Sequence, residues 1–182
     1  VVAVRLTNGA NEILVANSNG RAIRFNESTV RNMGRNATGV RAITLDDDGQ
    51  DHVVGMIAIE NPEEETVMIV SEYGYGKRSD IEDYRITNRG GKGVKTIQIT
   101  EKTGKLISIQ SVTNDNDLMI INKSGITLRL DVSTIRVMGR ATQGVRLINL
   151  EKRGDQIASI CKVNSEEPEE VSEVENNENQ QV

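Results

Sequence analysis

With 182 residues and 36% hydrophobic content the chain can bury one ordinary core, and an aromatic share of 2%, from Phe25, Tyr73, Tyr75 and Tyr84, leaves that core to Ile, Val, Leu and Met. A single histidine (His52) and a single cysteine (Cys161) exclude a disulfide framework and a thiol zinc cluster, and they argue against covalent or acid–base catalysis. The net charge of −5 conceals a division: setting aside the seven glutamates from Ser165 onward leaves 20 acids against 22 bases. Residues 164–182 are therefore expected to form a disordered acidic tail on a mildly basic body, one that either competes for a basic surface or merely aids solubility. No apolar run reaches bilayer-spanning length, and the opening VVAVRLTNG is too short for a signal peptide, so a cytoplasmic protein is expected.

Along the chain, residues 1–7, VVAVRLT, read as the last strand of a repeat unit whose other strands lie upstream. Three units follow, near 12–59, 66–112 and 117–163, anchored on Gly20, Gly74 and Gly125 and spaced by 54 and then 51 residues. Each opens on an apolar strand: EILVANSNG, TVMIVSEYG, DLMIINKSG. A glycine-containing turn comes next (GRNATGV, NRGGKGV, GRATQGV), then an alternating strand (RAITL, KTIQI, RLINL). The units close on VVGMIAI, LISIQSV and IASICKV. Four strand-like runs per unit at this period, with little that reads as helix, predict an all-β fold of propeller-like blades over residues 1–163.

Basic residues recur in register with the anchors. Four residues after the glycine stand Arg24, Arg78 and Arg129, and eleven after it Arg31, Arg85 and Arg136. Fifteen after it stand Arg35, Arg89 and Arg140, and twenty-one after it Arg41, Lys95 and Arg146. Blade-to-blade salt bridges or edge charges that deter strand pairing could account for one such column. Four columns without matching acidic ones predict a basic stripe suited to a polyanion backbone.

The segment TNRGGKGVK, 87–95, has the glycine and basic content of a phosphate-holding turn. It lacks the hydroxyl residue after lysine that a P-loop needs, and no helix follows for a dinucleotide site. Only its last glycine recurs, as Gly39, Gly93 and Gly144, which predicts a positive φ at that position. The acidic run DDDGQD, 46–51, reads as a hairpin loop rather than a calcium site.

The turn Thr87-Asn88-Arg89-Gly90-Gly91-Lys92-Gly93 is similar to the Q-R-R-G-G-K-G box of the C-terminal domain of the DNA gyrase A subunit, in the type IIA topoisomerase family. Over residues 1–163 the chain resembles later blades of that domain, notably in NGRAIRFNESTVRNMGRNATGVRAI, EYGYGKR and VMGRATQGV. Thr87 and Asn88 stand where the box has Gln and Arg, so the segment reads as a later blade's equivalent of the box. The resemblance implies a β-pinwheel, a ring of blades that exchange strands, with the three units making about half of a six-bladed ring. It also implies sequence-independent wrapping of duplex DNA by the column residues and Lys92, in support of ATP-dependent negative supercoiling. The implied partners are the ATPase subunit of gyrase together with the N-terminal part of the same polypeptide, in an A2B2 assembly. This part would be non-catalytic and cofactor-free, with ATP and Mg2+ used by the holoenzyme. The topoisomerase IV paralogue is an alternative, and so is a propeller that binds an acidic protein.

Overall fold

A computed structural model describes residues 1–47, 49–150 and 154–165. β1 (Glu12–Asn17) and β2 (Arg21–Asn26) form a hairpin closed at Gly20, where φ is 79°. A 3-10 turn at Glu27–Thr29 follows, capped by the Asn26 side chain accepting from the Ser28 amide, and β3 (Val53–Ile59) then pairs on the other side of β1. The second unit repeats this path with β4 (Thr66–Ser71), β5 (Tyr75–Asp80), a 3-10 turn at Ile81–Asp83, β6 (Val94–Lys95) and β7 (Leu106–Val112). In the third lie β8 (Asn116–Asn122), β9 (Thr127–Asp131), a 3-10 turn at Val132–Thr134, β10 (Val145–Arg146) and β11 (Ile157–Asn164).

The short strands do not join their own unit. β6 pairs antiparallel with β2 and completes a sheet ordered β3-β1-β2-β6, while β10 pairs with β5 in the sheet β10-β5-β4-β7. The third sheet, β11-β8-β9, has three strands among the described residues. Each four-stranded blade is thus finished by the unit that follows it.

Two expectations fail here. Of the alternating runs KTIQI and RLINL only the first residue, Lys95 or Arg146, lies in a strand, the two-residue β6 or β10, and RAITL, 41–45, forms no strand. Past Lys95, the Thr96 and Ile97 amides converge on the single carbonyl of Gly20, so the ladder ends and Ile97 turns into the core. Residues 1–7 form no strand either: Val1, Val4 and Leu6 are exposed, with no sheet to receive them among the described residues. Of the expected tail, 164–182, Asn164 instead ends β11, and the part from Glu166 onward lies outside the described residues.

The core lies between blades. β1 is buried on both faces: Leu14 and Ala16 pack with Val67, Ile69, Leu106 and Ile109 of the second unit, while Ile13 and Val15 join Ile23, Phe25 and Ile43 on the other side. In β4 the same alternation sends Val67 and Ile69 to the first blade, and Met68 and Val70 to Leu118, Ile120 and Val132 of the third.

Strand donation explains the recurrent glycine. Gly93 and Gly144 have φ of 70° and 84°, and a Cβ there would come within 2.4 Å of the Ala22 carbonyl oxygen and 2.6 Å of the Gly76 carbonyl oxygen. Gly39 shares the conformation, with φ of 87°, but faces open space. The expected positive φ holds at all three, and close approach to a host hairpin is an added demand only where a host is present.

Candidate nucleic-acid interface

The first column is interior. Arg24 lies opposite Leu14 in the ladder, facing the second blade, and is 4% exposed, as is Arg78. The Arg24 guanidinium pairs with Glu12 at 2.5 Å and Glu82 at 3.1 Å, and its Nη1 donates to the carbonyls of Ile81 and Tyr84, both at 2.9 Å. Arg78 repeats the arrangement one blade on, donating to the carbonyls of Val132 at 3.0 Å and Ile135 at 3.4 Å. Its other donors meet Thr66 Oγ1 and Asn114 Oδ1, all neutral acceptors, and burial lowers its pKa. Arg129 keeps the partner on its own hairpin, Asp117 at 2.6 Å, and its side chain is 42% exposed. Hydrogen bonds from Arg129 and Ser165 hold the Asp117 carboxyl below its ordinary range.

The expectation that Arg24 and Arg78 face a ligand therefore fails; they are latches that cap the 3-10 turn of the next blade. Sequence reading also missed their partners. Eight residues before each anchor stand Glu12, Thr66 and Asp117, a column acidic in two units of three. The other signal was an arginine inside RAIRF, a strand buried on both faces.

The third column reaches backward. Arg89 donates from Nε to the Thr29 carbonyl at 3.1 Å and from Nη1 to the Arg41 carbonyl at 3.2 Å. Arg140 does the same with Asp83 at 2.9 Å and Lys95 at 2.8 Å, and its amide donates to the Asp83 carboxylate at 3.1 Å. The four carbonyls occupy equivalent repeat positions, nine and twenty-one after the anchor. Both arginines are half-buried, and Arg35, at the same position in the first unit, is exposed.

These bonds gather the exposed cations. Arg31 follows Thr29 by two residues and borders the same groove as Arg89, so Arg31, Arg41 and Arg89 meet at the first junction. At the second, Arg140 bonds the backbone of Lys95 and of Asp83, two residues before Arg85, so the same three repeat positions stand close along the backbone. Arg31, Arg41, Arg85, Lys95 and Arg136 are exposed. Among the described residues, ion pairs join Arg24 to Glu12 and Glu82 and Arg129 to Asp117, and none reaches the junction clusters. Arg146, also exposed, donates to the Tyr75 hydroxyl at 3.1 Å, with its guanidinium 5.6 Å from the ring centroid.

The box-like turn clasps the first unit. The Thr87 amide donates to the Arg24 carbonyl at 2.8 Å and the Gly90 amide to Ala42 at 2.6 Å, while the Gly91 carbonyl accepts from the Thr44 amide at 2.9 Å. Asn88, Gly91 and Lys92 are exposed, and Lys92 shares a cleft with Arg85. The run 46–51 is not the expected hairpin loop, because 41–45 forms no strand and β3 pairs with β1. The Asp51 carboxylate accepts from Asn17, Ser18 and the amides of Asn19 and Asp46, which spends it on the turn.

Lys77 singles out the second junction. It is fully buried where the other units have Ile23 and Leu128, and its ammonium donates to the carbonyls of Gly139, at 2.6 Å, and Arg140. Burial pushes its pKa down from 10.5 to about 8, against a partial rise from Asp83. The unfolded chain holds this proton more tightly, so folding releases it between those values and stability rises as pH climbs through that window. Below pH 8 the penalty is fully present. In urea titrations, Lys77→Ile should abolish this rise, a difference of about 1–3 kcal/mol.

A family model described as the DNA gyrase C-terminal domain, beta-propeller, matches residues 11–60, 65–113 and 116–164. The chain belongs to this gyrase C-terminal domain family. It is 46% identical over 175 residues to the DNA gyrase A subunit of Staphylococcus aureus strain NCTC 8325 / PS 47, covering 95% of this chain and 19% of that protein. The corresponding protein of strain MRSA252 is 47% identical over 172 residues, with 93% and 19% covered. The chain thus spans about a fifth of the length of the curated gyrase relatives it matches. Among solved structures, the C-terminal domain of DNA topoisomerase IV superposes with a TM-score of 0.83 at 23% identity, over 90% of this chain and 50% of that one. A DNA gyrase A C-terminal domain gives 0.76 at 24%, over 86% and 52%. At such identities these two show the shared fold, and the β-propeller class expected from the repeats stands.

Proposed function

We propose that the chain binds duplex DNA without reading its sequence, wraps it along the blade junctions, and so serves negative supercoiling in a gyrase-type topoisomerase. The observation that carries this reading is the repeated trio of cations at each junction, assembled from two successive units, with each arginine fork resting on carbonyls and one carboxylate, that of Asp83, beside the second trio. With no ion pair on its cations among the described residues, such a trio keeps a net positive charge for phosphates and offers no buried fork to a base edge. Arg146 and Lys92 would add to the same face. Bending the duplex costs about 1–6 kcal/mol for a moderate angle, so many weak phosphate contacts must act together. In this reading strand passage is supplied by the ATPase subunit and the N-terminal part of the same polypeptide, with ATP and Mg2+. Against the glycine turn as their cradle speak its Gly90 amide, committed to the Ala42 carbonyl, and Val94-Lys95 after Gly93, where a phosphate loop has Lys and a hydroxyl residue.

The test is binding to a duplex of roughly 100 base pairs over a salt series, with fluorescence transfer between the DNA ends. Wild type should show a steep negative salt slope and ends drawn together. The triple variant Arg31→Ala, Arg85→Ala, Arg136→Ala should flatten the slope by about 2–3, at about 0.9 for each lost contact, with unfolding midpoints unchanged. A flat wild-type slope with no bend sinks the reading in favour of an acidic protein partner.

A further inference from the structure

The third basic column has a geometry that phosphate binding alone does not call for. Arg89 and Arg140 each spread one planar fork over two carbonyls of the preceding unit. One carbonyl, of Thr29 or Asp83, belongs to the last residue of the 3-10 turn. The other, of Arg41 or Lys95, belongs to an exposed cation of the fourth column. In the opposite direction, Arg24 and Arg78 reach from each blade into the 3-10 turn of the next. Each junction is thus tied by two arginines at two different turns, a buried guanidinium at the turn of the later unit and a half-buried one at the turn of the earlier unit, and the apolar clusters fill the space between the blades.

We propose that Arg89 and Arg140 are positioning residues that set the angle between successive blades, and so the curvature imposed on bound DNA. The proposal rests on the DNA-wrapping reading for its functional half. Duplex DNA is stiff, with a persistence length of about 50 nm, and resists bending wherever it is held. A rim whose blades could swing apart would follow the straight duplex rather than curve it. Hydrophobic contact is not directional, and the donated strands β6 and β10 pair with their hosts over only two residues each, which leaves the periphery of the junction to the forks and the neighbouring backbone bonds. A fork with two bonds per arginine is directional, and one bond of each pins the backbone of an exposed fourth-column cation, Arg41 or Lys95. Lysine cannot replace it, since an ammonium has no planar pair of donors spaced to span both carbonyls.

This separates charge from geometry in an experiment on the full chain. Arg89→Lys with Arg140→Lys keeps both charges and removes both forks. The double variant should retain the wild-type salt slope while losing most of the end-to-end approach of a 100-base-pair duplex, with affinity falling about tenfold. Amide hydrogen exchange on the protein without DNA gives the second readout. Exchange at 81–84 and 94–97 should speed up several-fold in Arg140→Lys, while that in β8 and β11 stays as in wild type. If the lysine variants bend DNA as wild type does, or leave exchange at those segments unchanged, the positioning role is overturned. If wild type itself shows no salt-dependent binding, the DNA reading fails separately, and the exchange result still decides whether the forks hold the junction.

Discussion

Replacing Arg24 with alanine should lower the unfolding free energy by about 3–5 kcal/mol, the scale of leaving a buried charge without its partner. The guanidinium is 4% exposed and serves Glu12, Glu82 and the carbonyls of Ile81 and Tyr84 together. Truncation strands the Glu12 carboxylate, itself only 23% exposed, and opens two carbonyls at a blade junction. The equivalent change at Arg129, whose side chain is 42% exposed, should cost about 1 kcal/mol or less. Urea titration of the two variants checks the contrast. Equal losses would mean that the latch to the next blade contributes nothing beyond the ion pair within the hairpin.

A comparable effect is expected from a single methyl group. Gly93→Ala places a Cβ within 2.4 Å of the Ala22 carbonyl oxygen at a φ of 70°, so β6 must lift from β2 to admit it. The expected loss is about 2–4 kcal/mol, from left-handed strain together with displacement of the donated strand. Gly39→Ala, at a φ of 87° in open space, carries the strain alone and should cost about 1 kcal/mol. The ratio of the two losses measures what strand donation contributes. Amide exchange at Val94–Ile97 should rise in the first variant and not in the second.

The repeat was legible because related units keep equivalent residues at the same offsets from their anchor glycines, which is why the glycine φ values and the hairpin strands could be read from the sequence. The destination of a strand was not legible. KTIQI has the alternation of a strand wherever it pairs, and nothing in those five residues shows that β6 belongs to the sheet of the unit before it. The basic columns were found for the same reason as the glycines, yet recurrence does not distinguish inside from outside. Arg24 and Arg78 recur because every blade needs its successor's turn capped, Arg31 and Arg85 because every junction displays a cation. What separates them is the neighbouring residue pattern: Arg24 sits between Ile23 and Phe25 in a doubly buried strand, whereas Arg31 follows a 3-10 turn. Lys77 was unreadable, since a lysine where the other units carry Ile23 and Leu128 looks like a surface substitution until the carbonyls of Gly139 and Arg140 are seen around it.

Strand donation also orders events at the ribosome. β2 is made some seventy residues before β6, its outer neighbour, and β5 about as long before β10. A nascent blade therefore waits with an unpaired edge, for several seconds at translation speeds of about 5–20 residues per second. During that interval the newest hairpin is the segment of the chain most open to pairing with another polypeptide. Slow codons or a stall between β2 and β6, or between β5 and β10, would lengthen that exposure, and because β5 precedes β6 a pause just after β6 finds the first blade closed and the second still open.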